Sequence, residues 1–130
     1  MIIEFCLEQK LDHQGNPENF TRDTYPFLPS GIAEHLDENG LPKVGEKVQP
    51  GMLLIAKFGA TKSYRRDAMP SDIERWLTAE ETLIDKYKHM FYDASFYVPA
   101  GVYGRVTEAF TEQKGQFKRV VVRVEKSNQP

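Results

Sequence analysis

Three histidines, His13, His35 and His89, and one cysteine, Cys6, are the residue types that most readily bind transition metals or act as nucleophiles, yet nothing in their spacing brings them together. The histidines are far apart in sequence, and a single cysteine cannot complete a zinc-binding pattern, so no metal site is expected. Cys6 cannot form an internal disulfide, and between Phe5 and Leu7 it reads as a small core residue rather than a nucleophile. Asp12 and the pair Glu80-Glu81 have no evident catalytic partner, and two carboxylates near a helix start are accounted for by the helix dipole. No glycine loop runs from a strand into a helix in a phosphate-binding pattern. The chemistry that remains is association. Lys62, Tyr64, Arg65 and Arg66 could hold RNA or DNA phosphates beside a stacking ring, or could simply be a solvated loop face. Leu83, Ile84, Tyr87, Met90 and Phe91 recur at helical spacing, with Asp85, Lys86 and Lys88 elsewhere. That stripe packs either on its own core or on a partner, and Trp76 is a further anchor or a fastener for the loop that carries it.

These residues sit in a chain of ordinary globular composition. Its 130 residues are 40% hydrophobic and 28% charged, enough for one domain with a single core. A formal charge of −2 provides no global attraction to nucleic acid, so any such contact requires a local patch. No apolar run approaches the roughly 18 residues of a membrane helix. Glu4 interrupts the only apolar start, so no signal peptide is read and the chain is taken as cytosolic. On this reading there is neither an internal repeat nor a low-complexity tract.

The positioning elements are mainly strands and turns. Ile3, Phe5 and Leu7 alternate with Glu4, Cys6 and Glu8, the period of a half-buried strand. Gln14-Gly15-Asn16-Pro17 is turn chemistry. Pro26 and Pro29 make Phe20 to Ser30 an irregular arm in which Tyr25, Phe27 and Leu28 pack, and Ser30 opens a short helical turn carrying Ile32 and Leu36. Residues 36–57 form the organising stretch. Asn39-Gly40 suits the centre of a type I′ turn, Gly45 a bend, and Pro50-Gly51 a type II turn, while Met52 to Ala56 reads as a strand buried on both faces.

Gly59 to Asp67 then reads as an exposed loop. Ser71 with Glu74, and Thr78 with Glu81, have capping-box spacing, giving two short helices or one continuous helix through Phe91. Strands resume at Phe96-Tyr97-Val98, turn at Pro99-Ala100-Gly101, and continue from Val102 to Phe110. A turn at Gln113 to Gln116 leads into Phe117 to Val124, whose Val120, Val122 and Val124 share one face. Ser127 to Pro130 reads as a frayed end. The expected fold is mainly β (α+β), one domain over 1–130. Its β body spans 1–57 and 96–126, and residues 58–95 form a projecting loop and helical insert.

The ordered set Thr21-Arg22-Asp23 and Pro26, Leu36-Asp37-Glu38-Asn39-Gly40-Leu41, Gly45, Val48, Pro50-Gly51, Leu53 to Lys57, Thr78 with Glu80-Glu81, and Val98-Pro99-Ala100-Gly101 with Gly104 and Val106 resembles the flap (wall) region of the β subunit of bacterial-type multisubunit RNA polymerase. Val120 to Val124 resembles the family strand leading back out of the flap, so the likeness spans nearly the whole chain. It implies a small sandwich-barrel hybrid β domain whose projecting helix, the flap tip, stands over the RNA exit channel. It also implies that the tip docks the C-terminal region of the σ initiation factor, and elongation or pausing factors, through Leu83, Ile84, Tyr87, Met90 and Phe91. Further implied partners are the other polymerase subunits and nascent RNA or DNA, in a cytoplasmic, nucleoid-associated assembly away from membranes. The family's catalytic Mg is held by aspartates of the β′ subunit, so no cofactor and no catalytic residue is implied in this stretch.

Two departures stand out: the Phe58 to Leu77 segment is longer than usual and carries Trp76, and the familiar flap-tip glycine is replaced in the vicinity of Lys88-His89. Whole β subunits are many times longer, so an excised domain with an added start methionine is expected, and a natural split or phage-encoded fragment is the alternative. From another class, Gly45 to Gly51 followed by Leu53 has the strand-turn-strand rhythm of biotinyl or lipoyl carrier domains. Ala68-Met69-Pro70, however, lacks the acceptor lysine such domains need. A small hydrolase has no supporting constellation.

Overall fold

A computed structural model describes residues 1–23, 28, 31–65 and 88–128. Among them run nine strands: β1 (Ile2–Glu8), β2 (Asn19–Phe20), β3 (Lys47–Val48), β4 (Leu53–Ile55), β5 (Lys57–Ala60), β6 (Phe91–Asp93), β7 (Phe96–Tyr97), β8 (Gly104–Lys114) and β9 (Phe117–Lys126). They pair antiparallel in sheets of order β1-β9-β8-β3, β2-β5-β6 and β4-β7, the first curled as a half-barrel. The chain is mainly β, as its alternating segments predict.

The long sheet follows from period-two patterning. Val120, Val122 and Val124 of β9 are fully buried against Val48, Leu54, Ile55, Val98, Val102 and Val106, with Ile3, Phe5 and Leu7 packed beside them. Each such burial contributes roughly 1.5–3 kcal/mol relative to exposure. The opposite face is organised in rows across three strands. Arg123 lies between Glu4 at 2.9 Å and Glu108 at 2.7 Å, and Arg119 pairs with Glu112. Between these rows Cys6, Val121 and Phe110 stand side by side. Cys6 is therefore exposed, not a core residue. Strand alternation places it on the face of Glu4 and Glu8, and its apolar sequence neighbours point the other way.

Turn geometry supports some expectations and corrects others. Gly51 has φ of 82° and Met52 N–H donates to Gln49 at 3.3 Å, as a type II turn over Pro50-Gly51 requires. Asn39-Gly40 is not a type I′ turn, because no residue other than glycine has positive φ among the described residues. Gly40 N–H instead donates to the Asp37 carbonyl at 3.0 Å and Asp37 N–H to the Leu41 carbonyl at 2.7 Å, a three-residue loop in which Gly40 alone is left-handed. Asp37 Oδ1 accepts from the amides of Asn39 and Leu41 and locks it.

The same device occurs at Asp12. Gly15 N–H donates to Asp12, Asp12 N–H to Asn16, and Asp12 Oδ1 accepts from Gln14 and Asn16. Leu11 to Pro17 and Leu36 to Pro42 thus share a Leu-Asp-x-x-Gly-x-Pro motif, a short repeat that the reading of the sequence as repeat-free overlooks. Residues 31–36 close two successive turns, Glu34 to Gly31 and Leu36 to Ala33, where a helical turn was expected, and seal Leu36 fully inside with Ala33, Leu53 and Ala56. Ser127, expected to be frayed, donates to the Tyr103 carbonyl at 2.7 Å.

The two loops give a paired prediction. A Cβ on Gly40 would lie 2.5 Å from the Ala56 carbonyl oxygen, whereas one on Gly15 would meet nothing within 4 Å. Both have φ near 80°. Gly15→Ala should therefore show only the left-handed strain, about 1–2 kcal/mol. Gly40→Ala should lower the urea midpoint by clearly more, and equal midpoints for the two variants would refute the packing role of Gly40.

Candidate functional site: the root of the 61–91 segment

Of the residues expected to carry association, Lys62, Tyr64, Arg65, Met90 and Phe91 are described, and they lie in or next to a two-stranded root. In that root β5 pairs with β6 through Phe58↔Asp93, Gly59↔Tyr92 and Ala60↔Phe91. Gly59 and Ala60 are thus sheet, where an exposed loop was expected, and Phe91 is a strand residue, where the end of a helical stripe was expected. The backbone changes at Lys88-His89-Met90, which turn the chain into β6. Met90 is 7% exposed, so it is already covered within this chain. The Phe91 ring meets Phe58 edge-on at 5.4 Å and Tyr64 at 5.3 Å. Lys62 and Arg65 are exposed and Tyr64 is half-buried. Arg66, Trp76, Leu83, Ile84 and Tyr87, with the helix starts around Ser71 and Thr78, lie outside the described residues, as do Tyr25, Pro26 and Phe27.

The ladder continues beyond the sheet. Thr61 N–H donates to the Met90 carbonyl at 2.9 Å and Thr61 Oγ1 to the His89 carbonyl at 2.7 Å. The Asp12 loop clasps this extension from the side. Gln14 Nε2 donates to the carbonyls of Thr61 and Tyr64 at 2.8 and 3.0 Å, and His13 N–H to that of Ala60 at 3.1 Å.

Beneath the clasp is a buried polar cluster that no pattern in the sequence announces. Lys57 Nζ lies 2.7 Å from Glu18 Oε1, with the two residues 3% and 4% exposed, and donates also to the Glu8 carbonyl at 2.7 Å. Lys10 N–H donates to Glu18 Oε1 and Tyr92 Oη to Glu18 Oε2, at 2.9 and 2.7 Å. Tyr92 reaches the carboxylate by lying across Gly59, where any Cβ would strike the phenol, and its ring stacks on His13 at 4.5 Å. Burial alone would raise the Glu18 carboxyl, but the hydrogen bonds from Lys57, Tyr92 and the Lys10 amide outweigh it and hold the group below its ordinary value. Burial, then the Glu18 carboxylate, pushes the Tyr92 phenol well above its own.

Every polar side-chain atom in this cluster has a hydrogen-bond partner, and among the described residues no buried side-chain polar atom is left without one. The arrangement fastens rather than reacts. Of the other polar candidates, Asp12 caps its loop and His35 Nε2 donates to the Leu53 carbonyl. Among the described residues no group of three or more His, Cys, Asp or Glu could hold a metal ion. Nor is any described helix long and apolar enough to cross a membrane. Glu18, Lys57 and Tyr92 escape sequence reasoning because Lys57 merely follows an apolar run and Glu18 sits in polar turn surroundings. Their partnership joins residues 39 and 74 positions apart.

A family described as RNA polymerase Rpb2, domain 6, matches residues 2–130. A DNA-directed RNA polymerase subunit β of Solibacter usitatus is 32% identical over 122 residues, 90% of this chain and 8% of that protein. The subunit β of Chaetosphaeridium globosum is 33% identical over 107 residues, covering 82% and 9%. That of Thermus thermophilus is 29% identical over 104 residues, covering 80% and 9%. The chain thus spans less than a tenth of the length of these relatives.

The buried cluster sets a stability prediction. Lys57→Met leaves an unpaired carboxylate inside and should lower the unfolding free energy by about 3–5 kcal/mol, and adding Glu18→Gln should recover part of that loss. Since the folded pKa of Glu18 is depressed, its contribution is complete above the unfolded value of about 4.3 and lost as pH falls through the folded value. The raised Tyr92 phenol contributes below about pH 10 and loses its contribution as pH rises through its folded value. Urea midpoints should show the gap between wild type and Glu18→Gln narrowing below about pH 4. A gap independent of pH would mean that the carboxylate charge is not what holds the root.

Proposed function

This chain belongs to the RNA polymerase Rpb2 domain 6 family, and we propose that it serves as the flap of the β subunit of a multisubunit DNA-directed RNA polymerase. In this reading it is a scaffolding module of the RNA exit path, without catalysis of its own, in an enzyme whose Mg is bound by another subunit. Its work would be done in the cytoplasm, among the other polymerase subunits. Segment 66–87 carries the flap tip, whose Leu83, Ile84 and Tyr87 dock the C-terminal region of σ or an elongation or pausing factor, with Trp76 as a further anchor.

The observation that carries this reading is the clasped root. Residues on both sides of the segment, Thr61 to Tyr64 and His89 to Phe91, are held to each other and to the Asp12 loop by directional hydrogen bonds and ring contacts. A partner docked beyond such a root is held at a set position relative to the β body. A few apolar side chains could supply most of the docking free energy. Exposed Lys62 and Arg65 beside the root suit nucleic-acid phosphates. Tyr64, packed on Phe91, is not a free stacking ring. The carrier-domain alternative is not favoured, since the family match runs through the whole of its supposed motif.

The corrected position of Phe91 changes the variant of choice. Leu83→Ala with Ile84→Ala should weaken binding to a fluorescently labelled σ C-terminal region by about tenfold or more while leaving the melting temperature of the β body unchanged. Phe91→Ala should lower that temperature, because it removes the ring between Phe58 and Tyr64. Unaltered σ affinity in the double variant would end the docking assignment.

A further inference from the structure

β1 is the marginal strand of the large sheet, with β9 on one side and no strand among the described residues on the other. We propose that this edge takes up an extended segment of another protein as an added antiparallel strand, one that alternates apolar side chains with basic ones. The direction of the backbone groups follows from the register. Gln9 N–H donates to the Lys118 carbonyl at 2.9 Å and Lys126 N–H to that of Met1 at 2.8 Å, so the odd-numbered residues of β1 face β9. Ile2, Glu4, Cys6 and Glu8 therefore turn their amides and carbonyls outward. The Glu8 carbonyl shows this directly, since it accepts from Lys57 Nζ. The other outward groups have no partner among the described residues.

Natural sheets blunt such edges with lysine, proline or a bulge, and Ile2 to Glu8 has none of these. The opposite edge, on β8, is covered by β3 at Gly104 and Arg105, shifts register between Val106 and Glu108, and continues with exposed Thr111 and Gln113 in the core-side rows. Burial shows that the sheet stops short of its core at β1. Ile3, Phe5 and Leu7 are only half-buried, whereas Val124, Val122 and Val120 beside them in the same rows are 0% exposed. An added strand with apolar side chains opposite Ile3, Phe5 and Leu7 would complete that cover. The outer face sets its charge. Across the three strands the rows run Glu4, Arg123, Glu108 and Glu8, Arg119, Glu112. Each cation stands between two acids, and Arg119 gives its fork to Glu112 rather than to Glu8. The member that continues each row beyond Glu4 and Glu8 is a cation. Between them, the row of Cys6, Val121 and Phe110 calls for a small or apolar residue. The proposal is independent of σ docking, because it uses none of residues 61–91.

The test measures binding of a fluorescent peptide of sequence lysine-valine-threonine-valine-lysine-valine to the full chain by anisotropy. Wild type should bind it, and a peptide with glutamate in place of both lysines should bind about tenfold more weakly. N-methylating the lysine and threonine amides, which face β1 in this register, should abolish binding, and N-methylating the valine amides should not. Cys6→Pro removes an outward N–H and no bond of the β1–β9 ladder, so it should weaken binding by about tenfold with the urea midpoint little changed. Thr111→Pro, on the β8 edge, should leave affinity unchanged. Glu8→Lys alters only an exposed side chain and should weaken the lysine peptide while strengthening the glutamate one, which reads the same edge without touching the backbone. Failure of wild type to bind, equal loss from Cys6→Pro and Thr111→Pro, or indifference to which amides are methylated would each overturn the assignment.

Discussion

The ion pair of Lys57 with Glu18 is the constraint around which the rest of the structure is arranged. A lysine that ends a fully buried run has nowhere to put its charge except inside the protein. An unpaired ammonium there would be prohibitive, because desolvation of an ion exceeds what packing returns. Glu18 resolves this only by being itself fully ligated, through Lys10 and Tyr92 as well as Lys57. The requirement propagates outward. Tyr92 must lie over Gly59, so β6 must pair with β5 in this register, and the root of the 61–91 segment acquires a fixed direction. Ser95 completes the arrangement by exchanging hydrogen bonds with both backbone groups of Lys57.

The twice-used Leu-Asp-x-x-Gly-x-Pro loop shows how one local solution serves two tertiary ends. In each copy the aspartate Oδ1 gathers two amides, and glycine supplies the left-handed residue that lets the strands close. The first copy turns its outer residues, His13 and Gln14, towards the root and holds it. The second turns its glycine inward, where the Gly40 carbonyl accepts from Ala56 and Thr21 N–H reaches the Ala56 carbonyl. At Ala56 the chain leaves the β4–β7 pair and enters β5, so the second loop holds the point at which the strand changes sheets.

What was legible in the sequence follows from how far each signal reaches. Period-two alternation in Ile3 to Leu7 and Val120 to Val124 is a local property with one favourable outcome, and both strands form with the expected faces towards the core, half-buried in the first and fully buried in the second. The Pro50-Gly51 turn likewise needs only its own residues. Phe91 was misassigned because Leu83, Tyr87 and Phe91 satisfy a helical period whether or not the helix ends first. What makes Phe91 a strand residue is its pairing with Ala60, thirty-one positions back along the chain. Cys6 was misjudged by weighing sequence neighbours, which in a strand face away from each other. The Glu18 cluster could not be read at all, since a buried charge announces itself only through a partner that folding supplies.

These placements divide the labour of the chain by rigidity. Helical stripes and basic loops gain specificity only if their positions are fixed relative to something larger, because ordering a free segment on binding opposes association. Here both ends of the segment leave a ladder braced by side-chain hydrogen bonds from a separate loop, and that loop is braced in turn by an aspartate cap. Docking free energy would then go into contact rather than into organising the root. The half-buried aromatic residues near the root, Phe58, Tyr64, Phe91 and Tyr92, pack on one another or on His13. Their rings brace the root from which, in the proposed reading, the docking segment departs.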